Sequence, residues 1–118
     1  MNKAISLHLP LVAVMAAALL LAAVPAATAD DASALWSKNC ASCHGQDGKG
    51  KTKMGEKLKV RDLTDAAVKA KLDKTKVEDS MKKGVKGDEG DKLVMKAFSD
   101  KLSDADIKAL TDYTLSLK

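Results

Sequence analysis

The string Cys40-Ala41-Ser42-Cys43-His44 constrains this chain more than any other segment. Residues three apart on a helical turn share a face, so the two thiols project the same way, about one turn apart. That separation suits thioether bonds to two vinyl groups along one side of a porphyrin, and C-x-x-C-H is the attachment signature of c-type haem. His44 follows directly and is placed to give its imidazole to the iron from the proximal side. A chain with this string is expected to fold around one large, flat group that it does not encode.

Other uses of the same residues fit less well. A thioredoxin-like C-x-x-C opens a helix after a strand, and nothing strand-like precedes Cys40. A structural zinc site takes four protein ligands. The chain has two Cys and two His, and His8 lies in a segment expected to be removed. A disulfide between Cys40 and Cys43 leaves the adjacent His44 unexplained.

The removable segment is residues 1–29. Lys3 gives a short positive start, an unbroken apolar run follows from Leu11 to Val24, and Ala27-Thr28-Ala29 supplies the small residues that a signal peptidase reads. The run falls short of the roughly 20 apolar residues that span a bilayer, and Pro10 and Pro25 bracket it. No cysteine stands just after the cleavage point to accept a lipid. A cleaved signal peptide, export to the periplasm and no stable membrane insertion are therefore expected. Export agrees with the motif, because haem is joined to such thiols outside the cytoplasm.

Cleavage after Ala29 leaves 89 residues, room for one small domain over 30–118. A domain of that size buries little apolar surface by itself, and its only aromatics are Trp36, Phe98 and Tyr113. Enclosing a few hundred Å² of macrocycle at ~25 cal/mol per Å² contributes several kcal/mol, comparable with the whole stability of a small domain.

The pattern along residues 30–118 predicts an all-α fold, a small bundle of about four helices around one covalent haem. The first helix is expected from about Asp31 into Cys43, capped by Asp31 or Ser33. Its apolar positions Ala32, Leu35, Trp36, Cys40 and Cys43 recur at helical spacing. Gly45 to Gly55 reads as loop. A short helix is expected over Asp65–Leu72, and another from Thr75, where Thr75 and Glu78 have capping-box spacing, ending at Gly84. Gly84, Gly87 and Gly90 punctuate a flexible, charged stretch. The last helix starts near Ser103 and aligns Ile107, Leu110, Tyr113 and Leu117 on one face. No segment has a convincing period of two.

The mature chain resembles class I c-type cytochromes of the small bacterial kind over essentially all of residues 30–118. The resemblance rests on Leu35-Trp36-Ser37-Lys38-Asn39 before C-A-S-C-H-G, on Met95-Lys96-Ala97-Phe98, and on Leu102-Ser103-Asp104-Ala105-Asp106-Ile107. It implies that the first and last helices cross at close contact, Ala32 and Trp36 against Leu110 and Tyr113. Ala32 stands where the family often has Gly.

With residues 1–29 removed, His44 is the only histidine, so two histidines from one chain cannot both bind the iron. Met54, Met81, Met95, a lysine, the terminal amine or an open position remain for the sixth place. Met81 lies one helical turn from Val77 and fits core packing, while Met54 sits in the polar loop. The resemblance implies Met95 as the distal ligand, with Lys96 where the family usually has Pro. His/Met ligation favours one-electron transfer: a thioether stabilises ferrous iron, and filled axial positions leave oxygen no ready entry.

No enzyme is expected, since the mature chain has no second histidine for acid–base work. Asp88-Glu89 lacks EF-hand spacing and reads as solvated loop. The full chain carries 20 Lys and Arg against 16 Asp and Glu, a formal +4, and the mature chain +3. Lys49, Lys51, Lys53, Lys57, Lys59 and Arg61 crowd one stretch against Asp47 and Glu56. That excess is either solvated surface or a means of steering toward acidic partners. An exported chain without a recognition motif is not expected to bind nucleic acid. The leading expectation is a monomeric, monohaem periplasmic electron shuttle between larger respiratory redox proteins. The alternatives are a haem-based ligand binder or sensor with weak or open distal coordination, and a non-catalytic haem subunit of an oxidoreductase complex.

Overall fold

The computed structural model describes residues 28–118, so the expected signal peptide lies outside the described residues apart from its last two positions. Helix α1 spans Ala29–Asn39, and Thr28 caps it rather than Asp31 or Ser33. The Thr28 hydroxyl accepts from Asp31 N, and the Asp31 carboxylate accepts from Thr28 N, a reciprocal capping box. The helix expected to run unbroken into Cys43 stops at Asn39. Cys40 leaves helical geometry at φ −118°, and a separate turn, α2 (Ala41–His44), follows. At the break Asn39 Nδ2 donates to the Leu35 carbonyl at 3.0 Å, a local side-chain bond that competes with helix continuation.

The expected loop over residues 45–55 contains the start of α3 (Lys53–Lys57), capped by Thr52. Asp65 caps α4 (Ala66–Lys69), which is shorter than the expected Asp65–Leu72. Helix α5 (Lys74–Lys83) starts from Asp73, whose carboxylate accepts from Lys76 N at 2.8 Å. The Thr75–Glu78 box is not used, because an equally good cap lies two residues earlier. Gly84 ends α5 at φ +78°, as its position suggested. Strands β1 (Val85–Lys86) and β2 (Leu93–Met95) then form an antiparallel ribbon, pairing Val85 with Met95 and Lys86 with Leu93. The stretch expected to be flexible is thus anchored at its base; strands of two and three residues are too short to show a period. Helix α6 (Asp104–Ser116) begins at Ser103 with a second capping box to Asp106.

The framework is predominantly helical, as expected, although the short turns bring the described helices to six. Helices α1 and α6 cross where Ala32 and Leu110 are buried and the Trp36 and Tyr113 rings lie 5.4 Å apart. Val77 and Met81 bury the inner face of α5 beside α6. Lys74–Asp112 and Lys82–Asp104 pair at 2.6 and 3.4 Å on the outside. Such exposed pairs contribute little; the common core of Trp36, Leu63, Val77, Met81, Phe98, Leu102, Ile107 and Leu110 holds these elements together.

Candidate functional site

Helix α1 delivers Cys40 at its end, and α2 carries Cys43 and His44 three and four residues, about one turn, further on. Because α2 is a single turn, its own ladder cannot hold it, and bonds from outside fix its exit. Gly50 N donates to the His44 carbonyl at 2.7 Å. The buried Trp36 Nε1 donates to the Gly45 carbonyl at 3.0 Å. The Trp36 ring lies 5.7 Å from the His44 imidazole at a 43° tilt. Trp36 therefore joins the α1–α6 contact to the backbone immediately after His44.

Both thiols are half-buried and unjoined. With His44 they open onto a cavity of about 520 Å³, within the usual range for small-molecule sites. Burial pushes the Cys40 thiol up to about 11, with neighbouring Cys43 adding to the effect. The surroundings of this sulfur thus disfavour the thiolate that zinc requires and suit a neutral thioether. Burial likewise lowers the His44 pKa, favouring the neutral imidazole that can bind a metal. Its Nδ1 is sealed off without a hydrogen-bond partner, which leaves Nε2 as the nitrogen available to a group in the cavity. Among the described residues no three His, Cys, Asp or Glu side chains gather as a closed metal site needs. Two sulfurs, one neutral imidazole and an apolar wall fit a haem.

Three methionines, Met54, Met81 and Met95, all line this cavity. Met81 is 5% exposed and packed into the core, whereas Met54 is 45% exposed on α3. Met95 is half-buried on β2, with its backbone tied to the end of α5. A Cβ on Gly84 would come within 2.6 Å of the Met95 carbonyl, so glycine is required there by contact as well as by φ. Val85, Val94 and Phe98 add apolar lining near Met95.

Lys49, Lys51, Lys53, Lys57, Lys59 and Arg61 are all exposed, and none takes part in an ion pair among the described residues. Lys59 and Arg61 reach the cavity lining, where Lys38, Lys96 and Lys101 join them. The basic stretch therefore borders the cavity, and lysines distant in sequence extend it. Sequence reasoning missed Thr52, whose hydroxyl sits between α2 and α3; a threonine three residues before a backbone N–H needing an acceptor was the available signal.

A cytochrome c family model matches residues 29–118. A curated relative, the cbb3-type cytochrome c oxidase subunit FixP of Azorhizobium caulinodans, is 36% identical over 83 residues, 70% of this chain and 25% of FixP. The chain thus spans about a quarter of the length of that relative. Among solved structures, the KustC0563 c-type cytochrome is 30% identical with a TM-score of 0.63, over 74% of this chain and 96% of that one. A tyrosine-to-phenylalanine mutant of the same cytochrome is 31% identical with a TM-score of 0.62, over 75% and 99%.

Proposed function

Because this chain belongs to the cytochrome c family, whose domain binds haem c covalently and transfers electrons, we propose that it is an exported, monohaem electron carrier. Cys40 and Cys43 would hold one haem through two thioethers, with His44 and Met95 as its axial ligands. When bound, the haem iron supplies one-electron oxidation and reduction. The single observation that carries this reading is the convergence of both thiols, the imidazole and Met95 on one cavity.

The chain's own residues do the rest. Gly50 and Trp36 fix the successive carbonyls of His44 and Gly45, the backbone just after the imidazole, and so help to orient it. Phe98, Leu63 and Val77 exclude water from the buried wall. Of the three methionines, Met95 combines partial burial with a backbone paired to Val85 across the ribbon. Met81 is occupied in the core and Met54 has nearly half its surface in solvent. The exposed lysines at the cavity rim would draw acidic surfaces of larger respiratory redox proteins toward it.

Residues 1–29 would direct export and be cleaved, placing the domain over residues 30–118 in the periplasm. Among the described residues no helix is long and apolar enough to cross a membrane. A second reading, a non-catalytic haem subunit within an oxidoreductase complex, is favoured by the match to an oxidase subunit. It uses the same cavity and replaces a transient partner with a permanent one.

Spectroscopy tests the ligand set. Haem should stay with the polypeptide through denaturation and acidic acetone extraction. Met95→Ala should abolish the weak near-infrared absorption of ferric thioether ligation, lower the potential and open the iron to added ligands, while Met54→Ala and Met81→Ala retain the band. Persistence of the band in Met95→Ala, with its loss in either of the others, refutes the assignment.

A further inference from the structure

We infer that Thr52 is a positioning residue for His44, and that its hydroxyl clamps the end of α2 and thereby sets the reduction potential. The inference rests on the haem-bearing reading of the site. Thr52 Oγ1 lies 2.9 Å from both the Ser42 and the Cys43 carbonyl oxygens. It lies 2.8 Å from Gly55 N. A hydroxyl has one hydrogen to donate and lone pairs to accept. It therefore accepts from Gly55 N and shares its single hydrogen between the two carbonyls.

Those carbonyls are the exposed acceptor ends of a four-residue helix, groups that cannot be satisfied within it. Helix α3 is five residues long and no better able to stand alone. The hydroxyl thus joins two short turns that have few other means of staying together. The fit is tight on the far side as well. A Cβ on Gly55 would lie 2.4 Å from the Cys43 carbonyl and 2.2 Å from the Gly50 carbonyl, so α3 is seated directly on the α2 exit. Gly50 is the residue whose N–H donates to the His44 carbonyl. The clamp therefore holds, within one contact, both the backbone before His44 and the loop that grips the backbone after it.

Removing the hydroxyl leaves Gly55 N–H and the Cys43 carbonyl short of a partner in a half-buried place, where such groups recruit water. Water admitted beside the imidazole stabilises the more positive, oxidised state. The potential should fall, although Thr52 never touches the iron and contributes no ligand.

The test is spectroelectrochemistry of the matured holoprotein as wild type, Thr52→Val, Thr52→Ser and Thr52→Gly. Valine keeps the shape and removes every hydrogen bond; it is expected to lower the potential and speed hydrogen exchange at Gly55. Serine restores the hydroxyl and should return both to wild-type values. Glycine is tolerated at an N-cap at little cost, and it brings no side-chain hydrogen to give the α2 carbonyls. It should therefore fold even where valine does not, and still lower the potential. Wild-type potentials in folded Thr52→Val or Thr52→Gly overturn the inference, as does an equal fall in Thr52→Ser. Failure of the underlying reading looks different: wild-type protein would itself lack covalent haem or histidine ligation, whatever residue 52 is.

Discussion

Trp36→Phe tests whether the backbone after His44 is held as the geometry implies. Trp36 is 1% exposed, and its Nε1 donates to the buried Gly45 carbonyl at 3.0 Å. Phenylalanine keeps an aromatic face for Tyr113, 5.4 Å away, but brings no donor. A buried carbonyl left unpaired costs ~1–3 kcal/mol. The smaller ring leaves a gap that adds ~1 kcal/mol, at the low end of core truncations. The loss should therefore be about 2–4 kcal/mol, a large share of the ~5–15 kcal/mol that holds a small domain folded. In a domain of this size, that corresponds to a fall in Tm on the order of 10–25 °C. Denaturant titration of the ferric holoprotein, followed by circular dichroism, gives the midpoint and slope, and the slope should stay unchanged. A loss below ~0.5 kcal/mol at constant slope would mean that water satisfies the carbonyl, and that the indole is not what secures Gly45.

Gly84→Ala places a Cβ 2.6 Å from the Met95 carbonyl at a φ of +78°. The holoprotein should lose near-infrared absorbance and, when reduced, bind carbon monoxide faster than wild type, with its haem still covalently attached. Reversing Lys51, Lys53 and Lys57 to Glu should slow the bimolecular reaction with acidic partners and flatten its salt dependence, which is screened over about 8–10 Å, without altering the haem spectrum. A rate indifferent to both salt and reversal would remove the basic surface from partner recognition. The Asp62 pKa is lowered by hydrogen bonds from the Thr64 hydroxyl and N–H, and that of Asp73 chiefly by the Lys76 N–H. Depressed folded pKa values contribute stability that is present above the ordinary carboxylate range and is lost as pH falls through them. The denaturation midpoint should therefore drop in acid, below about pH 4, and drop less in the double variant Asp62→Asn, Asp73→Asn.

What the sequence revealed was whatever sits in one contiguous string or one regular period. Ser103 capping α6, Gly84 ending α5 and the burial of Ile107 and Leu110 follow from spacing alone. The break at Cys40 did not, because Ala32, Trp36, Cys40 and Cys43 keep a helical period straight through it. Thr28 caps α1 from within the segment whose cleavage after Ala29 is expected, outside the domain in which the cap was sought. Gly55 misled in a more instructive way. It was counted among loop glycines, yet it lies inside α3, where the missing side chain lets two carbonyls approach. A glycine that frees φ and a glycine that admits a neighbour look the same in sequence.

The two sides of the cavity differ in this respect for a physical reason. Cys40, Cys43 and His44 are consecutive enough that one helical turn fixes their relation, so five residues would carry the proximal chemistry of the proposed haem site. The distal side has no such string, since three methionines reach the cavity from α3, α5 and β2. What separates them is how much freedom each has left. Met81 is spent on packing, and its carbonyl already accepts from Phe98 N at 2.7 Å. Met54 stands on a five-residue helix with nearly half its surface in solvent. Met95 lies between these extremes, its backbone locked by Val85 and Gly84 while its side chain is only partly covered. A metal ligand needs that combination, because a fixed origin limits the entropy lost on binding and an uncommitted sulfur can still turn toward the iron. The ribbon, which no period in the sequence announces, is therefore the element that favours Met95 over its two rivals in the proposed ligand set.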